Sequence, residues 1–264
     1  MNIFFRELKA NFKSLLVWGG ITVLFVVVGI SKFAGYEGNP DLLAIFDTMP
    51  PALITAFQFN AFNLTTITGF FGVMFTYFAL LLSIAAVMWG SDVITKEERD
   101  KTVEFSLTLP VSRGKLVTAK ILAVLVNCVG LSLITLGALL VSVKTYQPDR
   151  EFYRFLFLSM VALFIMQMIF LAIGIFLGCA MKQHKRASSV AVSLLLATYF
   201  VSIVVSLTDD LAFLKYFTPF KYFNPAVLLH ESRLDLAFIW LSAGIITVSL
   251  VGAYISYARR DLYI

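Results

Sequence analysis

The side chains best equipped to work in water are gathered in one stretch, Ser91–Lys120 (SDVITKEERDKTVEFSLTLPVSRGKLVTAK), between two long apolar segments. Five of the sixteen acidic residues fall there (Asp92, Glu97, Glu98, Asp100 and Glu104), interleaved with Lys96, Arg99, Lys101, Arg113, Lys115 and Lys120. Opposite charges at this density suit polar contacts with a partner better than bond-breaking. Hydrolysis by a serine or cysteine needs a nucleophile held beside a general base. The two histidines, His184 and His230, are the natural bases, and they fall in loops expected on opposite faces of a membrane. No HExxH, CxxC or GxxxxGK[ST] occurs, so neither those metal sites nor a phosphate loop is expected. Cys128 and Cys179 lie inside apolar segments and read as small buried hydrophobes. The expectation is a chain with no catalytic site and no cofactor of its own.

A lipid-soluble frame must position the charged stretch. The 264 residues are 59% hydrophobic and 14% charged, with a mean hydropathy of +0.88. Soluble domains carry about 25% charged residues. Apolar runs suited to crossing a hydrocarbon layer of roughly 30 Å occur at about 15–30, 70–93, 116–143, 155–181, 187–207 and 236–257. The expected fold is an all-α polytopic membrane protein with six transmembrane helices in one domain over 1–264.

Loop charge sets the expected orientation. With the N-terminus in the cytoplasm, Lys32, Lys144, Arg150, Arg154, Lys215, Lys221 and Arg233 fall outside, and the other fourteen of 21 Lys and Arg fall inside. That is the positive-inside bias, and six spans return the C-terminus to the cytoplasm. The net charge of +5 follows the membrane and gives no nucleic-acid signal. Residues 1–13 place Ile3, Phe4, Leu8 and Phe12 near one helical face and Arg6, Lys9 and Lys13 towards the other. This pattern predicts an amphipathic helix lying in the membrane interface rather than a cleavable signal.

Outside the spans, Gly38-Asn39-Pro40 predicts a turn, and Leu42–Phe57 one or two short interfacial helices. Phe213, Tyr216, Phe217, Phe220, Tyr222 and Phe223, with Lys215 and Lys221, read as headgroup-level anchors. Within the spans, Asn127 and Gln167 are the strongest polar groups and are expected to hydrogen-bond between helices. Gly174 and Gly178 form a GxxxG that permits close helix approach, within the chain or across a dimer seam. Gly69 and Gly72 are expected to ease a bend or a loop join. In the charged stretch Lys96–Leu107 can form a helix with Glu97 and Lys101 in the favourable order, stopped by Pro110, with Ser112 a cap for the next span.

The same stretch resembles the signature of type-2 ABC transporter permeases. The residues that carry the likeness are Trp89-Gly90-Ser91-Asp92, Lys96-Glu97-Glu98, Lys101-Thr102-Val103-Glu104-Phe105, Leu109-Pro110-Val111-Ser112-Arg113 and Lys120. The Arg6-Glu7-Leu8-Lys9 leader and the closing Arg259-Arg260-Asp261-Leu262 fit as well. Lys101 stands where the family usually has Gly, and Phe105 where Leu is common. The resemblance implies a membrane-spanning half-transporter in the cell membrane, paired with an identical or homologous permease subunit. It also implies a separate cytoplasmic ATPase, in two copies, that holds the ATP and Mg. Lys96–Leu109 would be the coupling helix docking on that ATPase. Glu97, Arg99, Thr102 and Glu104 would make polar contacts there, Phe105 and Leu107 would pack at the joint, and Pro110 and Arg113 would close the motif. An exporter is the expected function. A membrane scaffold that transmits force, or a stand-alone secondary transporter, is the alternative.

Overall fold

The computed structural model describes residues 3–39, 48–56, 62–99, 112–181 and 183–259. Among them there is no strand, and six helices are long and apolar enough to cross a membrane. They are span one (Ile3–Phe33), span two (Ile67–Arg99), span three (Arg113–Val143), span four (Arg150–Ala180), span five (His184–Leu207) and span six (Leu236–Arg259). In hydrocarbon every backbone polar group must be satisfied within its own segment, and apolar runs of this length therefore become helices. The expected all-α, six-span architecture is the one observed.

Polar side chains mark where the helices begin. Ser112 accepts from the Lys115 amide at 3.4 Å at the start of span three, and Asp149 accepts from the Phe152 amide at 2.8 Å at the start of span four. Gln147, at φ 44°, turns the chain between them. Span two starts from a knot of bonds around Asn63. Its Oδ1 accepts from the Thr65 amide at 3.0 Å, and the Thr66 hydroxyl accepts from the Gly69 amide at 3.1 Å. Gly69 lies so close to this knot that a Cβ there would sit 2.0 Å from the Asn63 carbonyl, and one on Gly72 would meet the Phe62 ring at 2.4 Å. Both glycines serve the loop join.

The structure differs from expectation at two joints. The leader is no separate interfacial helix: Ile3–Phe33 is one continuous helix of 31 residues, since no proline interrupts it. Lys96–Arg99 likewise continue span two rather than opening a helix of their own. Span two's 33 residues extend for about 50 Å at about 1.5 Å per residue, so its charged last turns stand beyond the roughly 30 Å apolar layer. The remainder of the expected coupling helix, residues 100–111 with Thr102, Glu104, Phe105, Leu107 and Pro110, lies outside the described residues, as does 40–47 of the first loop.

Spans two and four form the centre of the bundle. In their most apolar windows 67% and 61% of residues are buried, against 17% and 11% in spans five and six, which present apolar faces outward. Span one packs on span three, span six on span four, and span five on span two. The central pair touches backbone to backbone. A Cβ on Gly174 would lie 2.4 Å from the Val87 carbonyl, one on Gly90 2.4 Å from the Leu171 carbonyl, and one on Gly178 3.0 Å from the Ser91 carbonyl. The GxxxG face is thus occupied by this chain's own span two. Gln167 accepts from Ser132 Oγ at 2.7 Å between spans three and four. Asn127 is fully buried, and its amide has no hydrogen-bond partner among the described residues.

Candidate functional site

Where span two leaves the apolar layer, its last three turns are fastened to neighbours on every side. Trp89, on the face towards span one, donates its indole N–H to Ser14 Oγ at 2.8 Å. The hydroxyls of Ser91 and Ser188 meet at 3.0 Å and hold span two to the first turns of span five. Thr95 bonds back to the Ser91 carbonyl at 2.9 Å, which frees no polar group in this crowded stretch.

The centre of the site is the Glu97 carboxylate. Arg6 Nη2 lies 3.0 Å from Glu97 Oε1, and Lys120 Nζ lies 3.3 Å from the same oxygen. Arg6 also reaches Glu7 Oε1 at 3.3 Å. The Lys120 side chain is 1% exposed and that of Glu97 11%, whereas Arg6, at 36%, forms the rim. Lys120 additionally donates to the Val93 carbonyl at 2.8 Å, near the end of span two. An ammonium this deeply enclosed is tolerable only because a carboxylate and a carbonyl replace its water. One carboxylate therefore ties the starts of spans one and three to the end of span two.

Arg113 and Thr118 bring span six into the same end of the bundle. Arg113 Nη1 lies 3.2 Å from the Ala258 carbonyl and 3.4 Å from that of Tyr257, at the C-terminal end of span six, where unpaired carbonyls and the helix dipole favour a cation. The hydroxyls of Thr118 and Tyr254 meet at 2.7 Å. Asp92 and Arg99 pair with each other on the outer surface, a contact of the exposed kind that contributes little to stability.

Of the residues singled out in the sequence, three can be placed at this site. Glu97 faces inward, with its carboxylate on Arg6 and Lys120. Arg99 is half-exposed, and Arg113 braces span six. Trp89 and Lys120 belong to the signature stretch and Arg6 to the leader, but nothing in the sequence pairs them with the residues they touch. Their partners are separated by 27, 91 and 75 positions, a distance that no local spacing encodes.

The arrangement has the chemistry of a joint. It holds one acceptor between two cations, and among the described residues no group of three or more His, Cys, Asp or Glu could hold a metal. Span two ends at Arg99, two residues beyond Glu97, and span three begins at Arg113 with Lys120 in its second turn.

No protein of curated function matches the chain. The family model described as ABC-2 family transporter protein matches residues 1–262. Six spans, the charged connection between the second and third, and a match over nearly the whole length agree: this chain belongs to the ABC-2 transporter family and is a multi-pass membrane permease subunit.

Proposed function

We propose that the chain is the membrane half of an ATP-driven exporter in the cell membrane, coupled through residues 96–109 to a separate cytoplasmic ATP-binding subunit. Two permease subunits, identical or homologous, would work with two copies of that subunit, which binds ATP and Mg. Both termini are cytoplasmic in this reading. The observation that carries it is the convergence of spans one, three, four and five on the last turns of span two, at the threshold of the charged connection. A pull on a free loop would be lost in the loop. A pull on this one moves Glu97, and Glu97 carries spans one and three with it.

The division of labour follows from burial. Glu97 and Arg113 transmit, because their partners are inside the chain. Thr102, Glu104, Phe105 and Leu107 dock, with Pro110 ending the docking segment and Arg99 at its rim. The GxxxG face is filled by span two, so pairing with a second permease subunit uses another face.

The test is ATP hydrolysis by the ATP-binding subunit reconstituted with this chain in lipid vesicles. Glu104→Lys should leave membrane insertion unchanged and return hydrolysis to the rate of the isolated subunit. Normal stimulation by Glu104→Lys would reject the docking assignment. Reversal at Glu97 is unsuited to this test, because a third cation beside Arg6 and Lys120 would break the chain's own joint.

A further inference from the structure

At the opposite end of span two, about 30 Å along the helix from Glu97, two cavities share a wall. The first holds about 60 Å³ and lies between spans two and five under the loop 218–225. Its polar lining is Thr76, Tyr77, Ser202, Ser206, Lys221 and Asn224, closed by the rings of Tyr199 and Phe220, and no carboxylate lines it among the described residues. The second, of about 310 Å³, lies between spans one and two and is walled by Phe25, Val28, Phe70 and Met74, with Lys32 and Tyr36 as its other polar-tipped side chains. Val73 and Tyr77, one helical turn apart, line both.

The loop that closes the first cavity is built inward. Phe220 packs on Tyr199 and Phe170 with ring centroids 5.3 Å apart in each case, Thr218 donates to the Thr198 carbonyl at 2.8 Å, and Lys221 donates to Ser206 Oγ at 2.5 Å. Lys221 is thereby held away from the headgroup region where a lysine would ordinarily extend. Partial burial lowers its ammonium pKa below the usual lysine value, as expected for a cation that has lost part of its water and whose hydrogen-bond partner among the described residues is a neutral hydroxyl. An anion would supply what this group lacks.

We propose that the two cavities form one site for an amphipathic anion, with a phosphate- or carboxylate-sized head at Lys221 and Ser206 and an apolar chain passing Tyr77 into the Phe25–Met74 groove. Size supports the assignment of the parts. At about 10–15 Å³ per water, the first cavity admits roughly four waters or one oxyanion head, and the apolar cavity is the larger. Such a ligand could be a resident membrane lipid or the cargo of the transporter proposed above. Only the cargo version rests on that reading.

The probe is dodecyl phosphate, titrated calorimetrically into the purified full chain in neutral detergent, with dodecanol and inorganic phosphate as its two halves. No ATP-binding subunit is needed, so failure here is separate from failure of the coupling reading. Dodecyl phosphate should bind saturably and at least about tenfold tighter than dodecanol, the range expected of a hydrogen bond to a charged group. Lys221→Met should erase that preference, Lys221→Arg should keep it, and Tyr77→Ala should weaken both amphiphiles. Equal affinity for the two in the native chain, or an unchanged preference in Lys221→Met, overturns the proposal. A phospholipid that copurifies and is displaced by dodecyl phosphate identifies a resident lipid. ATP-driven loss of dodecyl phosphate from vesicles holding the complete complex identifies cargo.

Discussion

Lys120, enclosed in the second turn of span three, puts its ammonium 3.3 Å from the Glu97 carboxylate and 2.8 Å from the Val93 carbonyl, both near the end of span two. One ion pair therefore bridges the end of span two and the second turn of span three. Removing one partner of a buried pair costs about 3–5 kcal/mol, whereas replacing both by apolar groups is often nearly neutral. Glu97→Gln and Lys120→Met should each lower the melting temperature of the purified chain. The double variant should lose less than the two single losses added, with a coupling of about 1–3 kcal/mol in a double-mutant cycle. Simple additivity would show that the pair does not act as a unit.

The central helix pair offers a second test with an internal control. An added methyl on Gly174 or Gly90 meets a backbone carbonyl at 2.4 Å, and backbone cannot rotate away. Alanine at either position should cost about 1–3 kcal/mol or more by overpacking. Gly178→Ala, at 3.0 Å, should be milder, and Gly137→Ala, which meets nothing within 4 Å, should be neutral or slightly stabilising. Melting temperatures of the four variants in one detergent decide it.

Lys221 predicts a pH dependence. Its folded pKa is lowered by burial from 10.5, so between the lowered value and 10.5 the unfolded chain binds the more protons. Stability should rise with pH across that window. Lys221→Met should remove this rise. Tyr222 has the opposite sign: burial raises its pKa from 10.0 to about 12, so its contribution, complete below pH 10, is lost as pH climbs from there to about 12. Melting curves of the native chain and Lys221→Met from neutral pH to about 10 separate the two.

Trp89 and Ser14 provide a local check on the joint. The indole N–H bond at 2.8 Å holds span one against span two just before the charged turns. Ser14→Ala leaves a largely buried donor unpaired, at about 1–3 kcal/mol, while Ser14→Thr keeps an acceptor. Loss of stability in the first and its retention in the second, measured by thermal unfolding, is the expected outcome.

The six spans were legible because hydrocarbon thickness acts on each apolar run separately, and the Ser112 cap because it depends on a neighbour three residues away. The joint was not. Lys120 counts among the inner-face charges of the sequence, yet it is enclosed in the second turn of span three, within the apolar run 116–143. That interruption of the apolar pattern was the available signal. The Glu97 pairing with Lys101 is a local regularity, whereas the contact with Arg6 crosses 91 positions and depends on span one standing upright as a single helix. Lys221 was read as a headgroup anchor among aromatic residues. The loop divides instead: Phe213, Tyr216 and Phe217 are exposed, while Tyr222 and Phe223 are buried. Composition alone does not reveal which way such a loop folds.

The coupling account is tested most directly by purifying the tagged chain from its native membrane in mild detergent and quantifying what accompanies it. The account predicts an ATP-binding subunit in equal amount, retained by Lys120→Met and lost from Glu104→Lys. Recovery of the native chain alone, or an ATP-binding subunit that stays bound to Glu104→Lys, would contradict it.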